Sequence, residues 1–539
     1  MNSILLILFA VLATSGRVLG LILLSIVMGW LFAYAAIKGK IFENIYISLI
    51  EVLESVPVIS FFPIVLIIFV DHIGGPLGVE LAADFLVFTA VVWNIWVGEY
   101  QAFKTVPKEM EEVTQNYRMG FVSKMRYLYI PFSIPRITAN LFPSVSDGFF
   151  YITVSEVFAI GVHTYSTFGI GSVLSGYMST ANVNGIVLSL LIMGIVVILI
   201  ILGFREYAKR AVAKYTLDTD APILRRGRLS IRQTSRAHFV SAINPFSRIA
   251  RYSRGRSSQR IAQYKESART ENISHYVWMA IGITLLILIV YGAFALVSSV
   301  QASEWHTYFS ATPQIIVALV FDYARVITIF VASFIVAIFL GYYFAVNNRA
   351  ESVGVPVIQT FSAYPVPIYF PFIYAASFPF VSKYFGPFSS EFYVLGVGFV
   401  STFYYIFYSF WMGVKSLPVE YFELMRNLNL GFFSKLRRVI LPATFPYLIS
   451  GISSTINSAW GGLMIAEYWP NIIHDHTLEV HTGLMKFISI QTSSGNIGLA
   501  GWASFIFGIV VIIYSIFFTR RMMDIARKRY VAEEGIFAA

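Results

Sequence analysis

The chain has 539 residues, 57% of them hydrophobic and 13% charged, with a mean hydropathy of +0.70. That balance excludes an ordinary water-soluble protein and describes an all-α polytopic membrane protein, while the lack of cysteine excludes disulfides and thiol catalysis. The formal charge of +10 is not a nucleic-acid signal, because 16 of the 39 Lys and Arg lie between Arg205 and Arg269 and most others in two short loops and the C-terminal tail. Segments 71–82, 162–182, 300–312, 380–391 and 468–495 carry only Lys383 and Lys486, so the positive-inside rule puts the basic segments in the cytoplasm and these on the outer side.

In chain order, residues 1–14 are apolar but have no basic region ahead of them, which argues against a cleavable signal peptide. Too short to span, they read as an interfacial helix on the outer surface. Spans follow near 18–36, 55–72, 82–102, 138–161 and 184–204, and five crossings that end inside put the N-terminus outside. Residues 205–275 read as a basic, flexible and partly disordered linker, drawn to anionic lipid headgroups or to a regulatory partner. Further spans are expected near 277–299, 316–346, 357–380, 391–413, 447–468 and 496–519. The span near 277–299 has no counterpart in the first series, and its extra crossing restores the orientation that a repeat needs. The expected organisation is a first half at 1–204, the linker, a second half at 276–519 and a cytoplasmic tail at 520–539, with about eleven spans in all.

Between spans lie two amphipathic, basic loops, 104–136 and 415–446. Pro107, Glu109, Glu112, Gly120, Phe121, Ser123, Lys124, Arg126, Pro131 and Pro135 recur at a constant offset of 311 as Pro418, Glu420, Glu423, Gly431, Phe432, Ser434, Lys435, Arg437, Pro442 and Pro446. Surface loops drift in length because insertions cost little, so equal spacing implies a duplicated docking element. The second loop predicts a helix from Glu420 through Leu428 that stops at Asn429 or Gly431, both residues suited to a left-handed turn.

At these residues the chain resembles the permease subunits of ATP-binding-cassette importers, whose cytoplasmic loop reads Glu-Ala-Ala, three residues, Gly, and a closing Ile-x-Leu-Pro. Glu423-Leu424-Met425, Asn429 and Ile440-Leu441-Pro442 take those places in the second loop, and Glu112-Val113-Thr114, Arg118 and Ile130-Pro131 in the first. Both copies lack the alanines and carry a glycine two residues late. Arg118 takes a left-handed conformation less readily than glycine, so the first turn is expected to shift toward Gly120. The resemblance implies a type I importer permease with two halves fused in parallel. It implies that Glu112, Gly120, Glu423, Asn429 and Gly431 couple to two cytoplasmic ATP-binding subunits, and that an extracytoplasmic solute-binding protein delivers a small polar or anionic solute. No G-x-x-x-x-G-K-[ST] occurs, so ATP and Mg²⁺ are expected on the partners, with no cofactor here.

For the translocation path, Pro57 and Pro63 match Pro365 and Pro371 at an offset of 308, with Pro367 between the latter. Such prolines break membrane helices, either at a path or simply at a packed helix entry. They are similar to the nitrate, sulfonate and taurine branch of permeases, as are Ala466-Glu467 and Thr482-Gly483-Leu484. Glu156 and Glu467, paired at 311, either line an outer gate or tie helices together. Asp147 and Asp322 lack acidic counterparts and read as structural. His474-Asp475-His476 with His481 fits no common zinc spacing, so no metal is expected. No catalytic cluster marks an enzyme. A gradient-driven secondary transporter is the competing reading, but the best-shared feature of the halves is a loop and not an intramembrane ion site.

Overall fold

In the computed structural model the described residues are 3–55, 58, 65–160, 163–180, 182–215, 302–473, 476–514, 517, 518, 521, 522 and 525. Residues 216–275 of the linker, the span expected near 277–299, Pro57, Pro63, His474, Asp475 and most of the tail lie outside them.

The first helix, α1 (Ser3–Lys38), contains no proline and runs unbroken for 36 residues. This corrects the expected separate interfacial helix at 1–14. Ile7, Ala10, Val11 and Thr14 are buried along the same helix as Val18 and Ile22, so helix packing carries the chain past the length that a bilayer requires. The amphipathic α2 (Lys40–Ser55) follows, and the part of the 55–72 span that is described ends in a π-helical segment, Leu66–Ile73. Then come α3 (Gly75–Lys104), α4 (Lys108–Asn116), the short α5 (Phe121–Lys124) and α6 (Ile130–Ser155). The hairpin of β1 (Val157–Ile160) and β2 (His163–Ser166) leads to α7 (Ile170–Ser179) and α8 (Val183–Tyr215). The start of the linker is therefore helical through Tyr215, supported by the i,i+4 ion pair of Glu206 with Arg210 at 2.9 Å.

The same order recurs in α9 (Ala302–Val346), α10 (Asn348–Ala363), α11 (Val366–Phe385), α12 (Ser389–Lys415), α13 (Val419–Asn427), α14 (Phe432–Lys435), α15 (Leu441–Ala443) and α16 (Phe445–Ala466). A hairpin of β3 (Tyr468–Ile473) and β4 (His476–Glu479), then α17 (Leu484–Ser493) and α18 (Ile497–Tyr514), complete it. The span expected from 357 starts instead at Val366. Tyr364 precedes Pro365 and is extended (φ −83°, ψ 119°), since the proline ring disfavours a helical residue before it. The described residues are helical apart from the two hairpins and short turns, and the all-α expectation lacked the hairpins. Six helices among the described residues are long and apolar enough to cross a membrane, or seven if the bent pair Phe432–Ala443 and Phe445–Ala466 is one span.

The two series interlock at their middles. Ala363 and Ile368, on either side of the Tyr364-Pro365 break, join the hydrophobic cluster of the first series, and Phe150 of α6 joins that of the second. Polar bonds cross the same seam. Ser146 bonds to the Ser362 carbonyl and to Tyr404 Oη (2.9 Å), Tyr405 donates to Asp147, and Tyr364 Oη donates to the Leu190 carbonyl at 2.8 Å.

Candidate functional site

The two docking loops have the same backbone. Pro107 and Pro418, extended at ψ 138° and 148°, cap α4 and α13. Each helix ends in a Schellman turn. Met119 N–H bonds back to the Thr114 carbonyl (2.9 Å) and Arg118 N–H to the Gln115 carbonyl (2.8 Å); Leu430 to Met425 (3.1 Å) and Asn429 to Arg426 (3.0 Å) repeat the pattern. The left-handed residues are Arg118 (φ +48°) and Asn429 (φ +46°). The expected shift toward Gly120 does not occur, nor does Gly431 form the turn. Both glycines are extended (φ −71° and −68°) and start α5 and α14.

Glu112 and Glu423 are exposed on these helices. Beside them, large side chains are left in the open at matched positions: Val113 and Leu424, Tyr117 and Leu428, and Val122 and Phe433, the last two 72% and 73% exposed. The opposite side is anchored. Thr114 and Met425 are buried, as are Met125 and Leu436, and Tyr129 donates to Glu111. Burial and that carboxylate hold the Tyr129 phenol above its ordinary range. At the nearby helix ends, Lys104 pairs with Glu43 and, one repeat later, Lys415 with Glu351 at 2.8 Å.

Glu156 and Glu467 sit in two matched ion clusters with zero exposure. Arg17 pairs with Glu80 (2.5 Å) and Glu156 (3.2 Å) and donates to the Phe168 carbonyl; Thr14 donates to Glu156, and Gly171 N–H binds its other oxygen at 2.6 Å. In the second series Arg325 pairs with Glu391 (2.5 Å), Asp322 (2.8 Å) and Glu467 (3.1 Å) and donates to the Thr482 carbonyl. Leu484 N–H binds Asp322 and Lys486 N–H binds Glu467. Asp322 stands where the first series has Thr14, so it is a member of a cluster and not an isolated acid. Arg17 ties α1 to α3, to the end of α6 and to the turn before α7, and Arg325 ties α9 to α12, to the end of α16 and to the turn before α17.

The cavity lies elsewhere, on the seam. One lobe is lined by Ser146, Asp147, Tyr151, Ser362, Tyr364, Pro365, Val366, Ser401, Tyr404 and Ser458 among others, and a second by Val58, Thr89, Trp93, Asn94, Asp147, Tyr151, Tyr405, Ser454, Asn457 and Ser458. Asp147, Tyr151 and Ser458 belong to both lobes. The lobes are related by the repeat: Val58 matches Val366 at 308, while Trp93, Asn94, Ser146 and Asp147 match Tyr404, Tyr405, Asn457 and Ser458 at 311. Gly461 makes room for Tyr151, since a Cβ there would stand 2.5 Å from the phenol oxygen. Of the sequence candidates, Pro365 lines the cavity, Pro367 and Pro371 are buried within α11, and Glu156 and Glu467 line neither lobe. Asp147, read from sequence as structural, is in the wall. Its match to Ser458 at the repeat offset was the available signal.

Residues 333–531 match the family described as the binding-protein-dependent transport system inner membrane component. Over 68 residues the chain is 29% identical to the aliphatic sulfonates transport permease protein SsuC of Bacillus subtilis (strain 168). That match covers 13% of this chain and 25% of the relative, so the chain spans a quarter of the length of the curated relative it matches.

Proposed function

We propose, from the premise that residues 333–531 belong to the inner-membrane permease components of binding-protein-dependent transport systems, that the whole chain is two such permeases fused in parallel. The family is that of multi-pass helical importer permeases of the ATP-binding-cassette type, transport components and not enzymes. In this reading residues 1–204 and 276–519 are the halves, and each presents its docking loop to one cytoplasmic ATP-binding subunit. Those subunits hold ATP and Mg²⁺, and a solute-binding protein supplies the outer side. The N-terminus lies outside, the linker and tail in the cytoplasm, and a small polar solute passes inward between the halves by alternating access.

The observation that carries this is the pair of identical Schellman-turned loops, each offering an exposed carboxylate ringed by exposed apolar side chains. Solvated connectors have no reason to keep apolar groups in the open at matched positions 311 residues apart. A groove on a partner gives them one. The central seam supports alternating access, because its cavity is built from equivalent positions of both series.

The test is copurification. The chain should be isolated from native membrane with two ATP-binding subunits per copy, read by native mass spectrometry, and Glu423→Ala should weaken retention of the subunit docked on the second loop at unchanged expression. Isolation of the chain alone, with gradient-driven transport in vesicles that contain no ATPase, would overturn the proposal.

A further inference from the structure

We infer that the central cavity takes a cationic, amine-bearing solute, in contrast to the anionic class of the sulfonate permease that part of the chain matches. This deepens the reading of the cavity as the translocation path and rests on it. The two lobes are lined by hydroxyls, amides, aromatic rings and one carboxylate, Asp147; among the described residues no Lys, Arg or His lines either lobe. An anion would find no counter-charge there and would meet a like charge at the point where the lobes join. A cation finds both a carboxylate and rings.

The repeat makes the asymmetry specific. The position equivalent to Asp147 is Ser458, and both residues are in both lobes, so the two halves place an acid and a hydroxyl in one shared space. Asp147 receives a hydrogen bond from Tyr405 on Oδ1, and among the described residues no recorded bond uses Oδ2. A carboxylate inside a membrane protein is expensive unless a partner or water meets it. Among the described residues the buried acids Glu156, Asp322 and Glu467 have arginine partners; Glu99, fully buried with neither carboxylate oxygen bonded, has none and lines neither lobe. Asp147 has no basic partner among the described residues, and a protonated amine in the cavity supplies one. Tyr151, Tyr404 and Trp93 put aromatic side chains in the walls, and ammonium groups are attracted to the faces of such rings.

The chain has no cysteine, so a single introduced thiol reports the cavity by itself. The Ser458→Cys and Asn94→Cys variants, each in otherwise full-length chain, would be reacted with two reagents of similar size. These are 2-(trimethylammonium)ethyl methanethiosulfonate and 2-sulfonatoethyl methanethiosulfonate; with either, the thiolate forms a mixed disulfide and releases methanesulfinate. Rates are taken from both membrane faces and divided by those of free 2-mercaptoethanol, which removes intrinsic reactivity. The cationic reagent should be favoured at least about tenfold at Cys in place of Ser458, equivalent to ~1.4 kcal/mol. Adding Asp147→Asn, which keeps an acceptor for Tyr405, should return the ratio to that of the free thiol. A preference for the sulfonate, no preference, or a preference that survives Asp147→Asn would overturn the inference. Failure of both reagents at both positions from both faces would also overturn it, since no solute of this size would then reach the cavity. None of these outcomes depends on an ATP-binding subunit, so a failure of docking and a failure of this inference are distinguishable.

Discussion

Arg118 and Asn429 stand 311 positions apart and hold the same left-handed backbone, φ +48° and +46°, as the non-glycine residues with positive φ among the described residues. The turn is kept in this place although a glycine lies two residues beyond it in both loops, because the bonds from Met119 to Thr114 and from Leu430 to Met425 need the reversal there. A left-handed side-chain-bearing residue costs about 1–2 kcal/mol, less for asparagine, whose short polar side chain tolerates the region. Arg118→Gly should therefore stabilise its loop more than Asn429→Gly does. Arg118→Val should weaken it. Thermal unfolding of the detergent-solubilised chain reads all three, and a larger gain at Asn429 than at Arg118 would contradict the strain argument.

Equal turns imply equal docking. Glu112→Ala and Glu423→Ala should reduce the retained ATP-binding subunit to a similar extent, by roughly 2–5 kcal/mol if each carboxylate meets a buried cation on the partner. The double variant should retain none. A loss confined to Glu423→Ala would show that the partner sockets differ even though the loops do not.

The ion clusters predict an order of stability. Arg325→Ala strands Asp322 and Glu467, both with zero exposure, whereas Arg17→Ala strands only Glu156 at that depth. Breaking a buried pair by removing one partner costs about 3–5 kcal/mol. Both variants should lower the melting temperature of the solubilised chain, Arg325→Ala by more. Equal losses would instead show that Glu80 and Glu391, the partly exposed members that each arginine pairs with at 2.5 Å, carry the energy.

Gly398 and Gly462 bring α12 and α16 to backbone contact: a Cβ on Gly462 would lie 2.9 Å from the Gly398 Cα and 2.9 Å from Ser401 Oγ. Gly462→Ala should cost about 1–3 kcal/mol through overpacking. Gly396→Ala, on the same α12 but with nothing within 4 Å of the added methyl, should be neutral or gain about 0.5–1 kcal/mol. Paired thermal melts of the two variants check the contrast.

What the sequence by itself determined is the membrane class, the helical content and the duplicated docking loop, because each is written in a continuous stretch: apolar runs, and ten residues from Pro107 to Pro135 repeated without a gap from Pro418 to Pro446. It also paired Glu156 with Glu467 by offset. It could not show that Arg17 reaches Glu156 across 139 positions, since that contact exists only after α1, α6 and α7 pack. The position of the left-handed turn in the first loop was misread for a related reason, although Asn429 was among the residues expected to form it in the second: glycine preference is a weak local bias, and a pair of hydrogen bonds closing the helix outweighed it. The four-residue strands after α6 were missed because so short a hairpin has too little alternation to be seen. The cavity was decided by tertiary structure alone. Its walls come from positions 58, 94, 147, 364, 405 and 458, none near another in the chain except through packing, and only the interlocking of the Tyr364-Pro365 break with α6 turns Asp147 from an isolated acid into the charge at the centre of the seam.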